Sequence, residues 1–150
     1  MAKKRTARKP KTTLFVLDAS VTLVWAFEDE TDAYAEAVAD SLVDVRAVTP
    51  GLWHLEVANS LLVGERRKRT TEAKVAQFLG LLQTLPISVD EETSLRAWQD
   101  TLRLARAHSL SVYDATYLEL ALRRGLPLAT IDDRLKSAAA EVGVVDFTPG

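Results

Sequence analysis

Four carboxylates interrupt apolar patterns in this sequence. Asp18 ends the run LFVL and is followed by a second apolar run, VTLVWAF. Glu56 lies within LWHLEVANSLL, with Asn59 one turn later, Asp114 within SVYDATYLELAL, and Asp132 closes PLATI. An unpaired buried charge costs on the order of several kcal/mol. A chain that keeps carboxylates at such positions must expose them at the ends of elements or give them partners.

Each acid has a simpler reading. Asp18 and Asp132 fit as helix N-caps, worth about 1 kcal/mol each. Glu56 fits as a helix-edge acid with its head in water, and Asp114 as a first-turn acid favoured by the helix dipole. Taken together the four say more. Two stand at strand ends and two near helix starts that follow loops. In a parallel α/β domain such positions share one edge, where ligands bind. Carboxylates 4 Å apart repel by about 4 kcal/mol at an effective dielectric of 20. A hard divalent cation removes that repulsion, and all-oxygen ligands suit Mg²⁺ or Mn²⁺. The set reads as a metal site.

Competing chemistries are thin. The chain has no cysteine, which excludes disulfides, thiolate zinc sites and thiol catalysis and fits a reducing cytoplasm, the expected location. His54 and His108 are the only histidines and read as structural. No G-x-S-x-G, Walker loop or G-x-G-x-x-G occurs.

The elements that must position these acids alternate. LFVL reads as a buried strand and VTLVWAF as a short helix that Asp18 or Ser20 caps. Thr31 opens the helix TDAYAEAVADSLV, and VRAV is a second strand. LWHLEVANSLLV is helical, with Leu52, Leu55, Ala58, Asn59 and Leu62 on one stripe. TTEAKVAQFLGLLQTL is a helix ended by Pro86, and ISV a third strand. DEETSLRAWQDTLRLARAHS reads as one long helix and SVYDATYLELALRR as another, closed by Gly125. PLATI is a fourth strand, DDRLKSAAAEVG a last helix, and VVDF a final strand. Alternation of this kind predicts a three-layer α/β/α domain with a mainly parallel central sheet.

With 150 residues, 47% of them hydrophobic, one domain with a substantial core is expected. Six basic residues and no acid precede residue 12, leaving 13 basic residues against 21 acids, a net −8, in the rest. Residues 1–12 are therefore a basic arm, disordered or used for a polyanion such as nucleic acid, and residues 13–150 the folded domain. Asp18 breaks the only signal-like run after four residues, and no apolar run is long enough to span a bilayer, so no membrane association is expected.

DASVTLVWAF, LWHLEVANSLL and LSVYDATYLELALRRGLPLATIDDRL, in that order, resemble a PIN domain, and more narrowly the VapC-type toxins of toxin–antitoxin pairs. The resemblance implies an RNA-cutting enzyme that uses Mg²⁺ or Mn²⁺ on an acidic quartet, here Asp18, Glu56, Asp114 and Asp132. It implies that Asp18 and Asp114 hold the principal metal, while Glu56 and Asp132 orient water or complete a second site. Ser20, Asn59, Thr130 and Asp133 match supporting positions. It further implies an RNA substrate, a cognate VapB-type antitoxin and a homodimer, with Trp25, Trp53 and Trp98 placed either in the core or at such interfaces. The basic residues 66–69 are candidates, with the arm, for RNA contact. Other readings are a PIN nuclease of housekeeping RNA processing and a non-catalytic module on the same fold. A haloacid-dehalogenase-like phosphatase would need a second acid where Ser20 stands.

Overall fold

The computed structural model describes residues 13–150; the basic arm lies outside the described residues. Four short strands form a parallel sheet: β1 (Leu14–Leu17), β2 (Arg46–Pro50), β3 (Ile87–Asp90) and β4 (Leu128–Ala129), in the order β3-β2-β1-β4. β1 lies between two neighbours, and Phe15, Val16 and Leu17 are fully buried, as its unbroken apolar run requires. β3 is an edge strand, and its middle residues are exposed. The register aligns Val16 with Val48 and with Leu128, so β1, β2 and β4 end at one edge.

Helices flank this sheet: α1 (Ala19–Ala26), α2 (Ala33–Ser41), α3 (Leu52–Arg66), α4 (Glu72–Leu82), α5 (Thr93–Arg96), α6 (Leu102–His108), α7 (Val112–Arg124) and α8 (Asp133–Glu141). The expected α/β/α architecture is what the chain adopts. α7 packs against β1 and β2, and buries Ala115 through Ala121 as a continuous block. It begins at the Ser111 cap, whose hydroxyl accepts from Asp114 N–H at 3.0 Å, and stops at Gly125, which takes φ 63°.

Several elements differ from expectation. The long helix from Thr93 to His108 contains a π-helical turn at Ala97–Thr101, which leaves Trp98 91% exposed. VVDF forms no strand, only an isolated bridge between Leu128 and Asp146; Phe147 instead stacks on Phe15 at 3.9 Å between ring centroids. Asp32, not Thr31, caps α2 by accepting from Ala35 N–H at 2.8 Å. The buried face of α3 is Trp53, Val57, Leu61 and Gly64, so the predicted stripe points elsewhere and leaves Leu55 and Leu62 exposed. The choice was made by close packing: a Cβ on Gly64 would overlap the Phe27 ring, so only glycine lets α3 approach there. The three tryptophans divide accordingly. Trp53 is buried with its indole N–H on Thr22 Oγ1 at 3.0 Å, Trp25 donates to the Ala35 carbonyl at 2.7 Å, and Trp98 stands in solvent. No helix among the described residues is long and apolar enough to cross a membrane.

Candidate active site

Asp18 leaves β1 at the sheet edge and is only 5% exposed. It occupies the N-cap position of α1, yet its carboxylate accepts no helix N–H, so the capping expectation fails there. Its partners are hydroxyls instead. Ser20 Oγ donates to Asp18 Oδ2 at 2.6 Å, and Thr130 Oγ1 donates to the same oxygen at 2.8 Å. Those hydroxyls are themselves fixed: Ile131 N–H donates to Ser20 Oγ at 3.2 Å, and Asp132 N–H to Thr130 Oγ1 at 3.0 Å. The exits of β1 and β4 are thus bound into one polar knot, and Asp18 Oδ1 has no side-chain partner among the described residues. Burial pushes the Asp18 carboxyl up to about 6; the two hydroxyls pull it down, and the charges of Glu56 and Asp114 push it up again.

Glu56 sits on α3, half-buried, and accepts from Tyr117 Oη at 2.5 Å. Burial raises its pKa, the tyrosine bond opposes this, and the charge of Asp114 adds to it. Asp114 is in the first turn of α7 as expected, but burial and then the charge of Asp132 raise its pKa; the Ser111 bond and the Arg134 charge act the other way. Desolvation therefore outweighs whatever the helix N-terminus contributes. Asp132 does cap its helix, α8, accepting from Leu135 N–H through Oδ1 at 2.9 Å. The four acids act on one another in sequence, Asp18 with Glu56 and Asp114, and Asp114 with Asp132. Four carboxylates at one edge, each within electrostatic reach of the next, form a single negative site.

Among the described residues no three of these side chains converge closely enough to enclose a metal ion. That geometry is still compatible with a hydrated hard divalent cation. Mg²⁺ keeps several waters and is held by one or two carboxylates plus substrate phosphates, not by an all-protein cage. The donor set is hard oxygen throughout, and among the described residues the raised Asp18, Glu56 and Asp114 carboxyls have no cationic partner strong enough to offset their desolvation.

The supporting residues divide. Ser20 and Thr130 touch Asp18 directly. Asn59 is exposed and lines a hollow with Glu56. Asp133 is exposed, one residue beyond the knot, and makes no hydrogen bond to the four acids. Of the residues 66–69, Arg69 is committed to Asp29 at 2.9 Å and Glu30 at 3.2 Å and covers the Phe27 ring at 4.1 Å. Arg66, Arg67 and Lys68 form no ion pair among the described residues. His54 sits edge-on to Trp53, and His108 Nδ1 lies 2.8 Å from Glu141 Oε2.

Two residues escaped the sequence reading as site members. Tyr117 is fully buried and orients Glu56; its phenol pKa is driven upward by burial and by that bond. Its spacing of three from Asp114 put it on the right face, but its partner on α3 is 61 residues away. Arg134, two residues beyond Asp132, is the one cation among the described residues whose charge reaches an acid of the set.

Residues 15–141 match the PIN domain family. The chain is 29% identical over 120 residues to Ribonuclease VapC3 from Pyrobaculum aerophilum, covering 80% of this chain and 90% of that protein. Its fold is similar to that of a toxin–antitoxin complex from Klebsiella pneumoniae, with TM-score 0.61, 15% identity, and 91% and 98% of the two chains covered. It is similar also to VapC20 from Mycobacterium tuberculosis, a sarcin–ricin loop cleaving toxin, with TM-score 0.60, 15% identity, and 91% and 100% covered.

Proposed function

The chain belongs to the PIN domain family, and from that premise we propose that it is a divalent-metal-dependent ribonuclease and the toxin of a VapBC-type pair. The observation that carries the proposal is the sheet edge itself. Asp18, Glu56, Asp114 and Asp132 lie along it within electrostatic reach of one another, with Asp18 buried and held by two hydroxyls. Such a site is strongly unfavourable for a phosphodiester unless cations bridge the two.

Asp18 and Asp114 would hold Mg²⁺ or Mn²⁺, Asp18 through the Oδ1 that neither hydroxyl occupies. When bound, the cation lowers the pKa of water and neutralises charge on the phosphoryl group. The chain supplies the rest. Ser20 and Thr130 fix the Asp18 rotamer, so little reorganisation is needed on binding. Glu56, raised in pKa by burial and oriented by the Tyr117 hydroxyl, would accept the proton of the attacking water. Asp132 orients water or completes a second, weaker site, and Asp133 and Asn59 line its approaches. Phosphates beyond the cut would meet Arg66, Arg67 and Lys68, at the far end of the helix that carries Glu56, about 15 Å away at 1.5 Å per residue, and the basic arm of residues 1–12.

The relatives support the biological assignment. One curated relative is a ribonuclease, and one structural neighbour comes from a toxin–antitoxin complex. For this chain we take RNA as substrate, a VapB-type antitoxin as partner, a homodimer as the assembly and the cytoplasm as its place. The chain, free of antitoxin, is incubated with total RNA and Mg²⁺ or Mn²⁺. Cleavage that stops with EDTA and in Asp114→Asn supports the reading. Cleavage that survives in Asp114→Asn rejects the site assignment, and a chain that neither cuts RNA nor binds Mn²⁺ is the non-catalytic module.

A further inference from the structure

Beside the acids, between α3 and the start of α7, lies a hollow of about 440 Å³ lined by Leu52, Leu55, Glu56, Asn59, Ser60 and Tyr113. Its volume falls within the range of small-molecule sites, about 300–1,000 Å³. Three features separate it from an ordinary surface depression. Tyr113 is 62% exposed and Leu55 69% exposed, so a tyrosine ring and a leucine stand in solvent with nothing in the described chain to cover them. Glu56 belongs both to the hollow and to the acidic edge, so an occupant of the hollow lies against that carboxylate. Among the lining residues the only charge is the Glu56 carboxylate, which disfavours a phosphate in the hollow itself and favours a neutral group with flat apolar faces. Asn59 and Ser60 add an amide and a hydroxyl, which can donate to and accept from the edge of such a group.

We propose that this hollow is a nucleobase subsite, in which Tyr113 stacks on the base next to the scissile phosphate and the Asn59 and Ser60 side chains read its edge. The inference rests on the ribonuclease reading and adds to it the determinant of base preference at the cut. Single-stranded RNA presents splayed bases to aromatic side chains in this way. The phosphate goes to the acidic edge and its cation, the base to the hollow, and the two are joined through one sugar.

Cleavage sites in total RNA are first mapped with Mn²⁺, and a single-stranded oligoribonucleotide spanning a mapped site is then made with and without its flanking base. Tyr113→Ala is expected to lose about 5- to 150-fold in kcat/KM on the intact oligonucleotide, the equivalent of about 1–3 kcal/mol for one stacked base. It loses base preference at that position, and loses nothing more on the abasic one. Tyr113→Trp retains rate and preference, and unchanged unfolding temperatures exclude misfolding at this exposed position. Wild-type rate and preference in Tyr113→Ala, or losses that add to that of the abasic substrate, overturn the subsite and leave the nuclease standing. Unchanged cleavage with weakened antitoxin binding gives the hollow to a protein partner and overturns it as well. A wild-type chain that cuts no RNA overturns both readings.

Discussion

Replacing Asp18 by Asn should stabilise the metal-free protein at alkaline pH, although it removes a buried, doubly hydrogen-bonded side chain. Burial raises the Asp18 pKa from 3.8 to about 6, so the folded chain holds a proton there over a range in which the unfolded chain has released it. The folded state then gains from protonation. Full stability is present below pH 3.8 and is lost as pH rises through about 6. At 1.36 kcal/mol per pKa unit, the ionised carboxylate costs about 3 kcal/mol at pH 8. Ser20 and Thr130 both donate to Oδ2, so an Asn oxygen in that place keeps both bonds, each weaker by up to about 1 kcal/mol for want of charge. The net gain is about 1–3 kcal/mol, or about 2–12 °C in Tm for a domain of this size. Thermal unfolding followed by circular dichroism in EDTA at pH 8 and pH 4.5 measures it. The variant should melt higher at pH 8, and most of the advantage should vanish at pH 4.5. Excess Mn²⁺ should erase or reverse that order by raising only the wild type, by about 2.7 kcal/mol at a hundred times Kd. A variant less stable than wild type at both pH values in EDTA would refute the claim that Asp18 is a strained, desolvated charge.

Three further outcomes follow from the same geometry. Ser20→Ala removes a bond that lowers the Asp18 pKa, so that pKa should rise further, with a loss of about 10–100-fold in Mn²⁺ affinity by calorimetry. Arg123 pairs with Asp90 at 2.7 Å and Glu119 at 2.7 Å, both nearly buried, so Arg123→Ala should cost about 3–5 kcal/mol in urea unfolding, and Arg123→Ala with Glu119→Gln less than the sum of the two single changes. Gly64→Ala pushes a methyl into the Phe27 ring and should cost about 1–3 kcal/mol by the same assay; Phe27→Leu should restore part of it.

The acids were legible because they broke patterns. A carboxylate after LFVL or within SVYDATYLELAL conflicts with burial, and such conflicts gather at functional sites. Strand and helix alternation gave the sheet, since β1 is apolar on both faces. What was not legible depends on contacts between distant parts of the chain. The capping expectation for Asp18 failed because hydroxyls hold its carboxylate instead, one from nearby Ser20 and one from Thr130, 112 residues on, which no local pattern could supply. α3 carries two apolar stripes, and Gly64 against Phe27 selects the one led by Trp53. The same selection turns Leu55 outward beside Glu56 and creates the hollow that the periodicity had assigned to the core. The π turn at Ala97–Thr101 leaves no mark on a pattern of period 3.6.

The most direct test of the central claim, that this sheet edge is a divalent-metal catalytic centre, is the anomalous scattering of Mn²⁺ in crystals of the chain. A peak within bonding distance of Asp18 Oδ1 and an Asp114 oxygen, lost in Asp18→Asn, is the predicted result. Saturating Mn²⁺ with no peak at that edge, or a peak held by other residues, would contradict the claim.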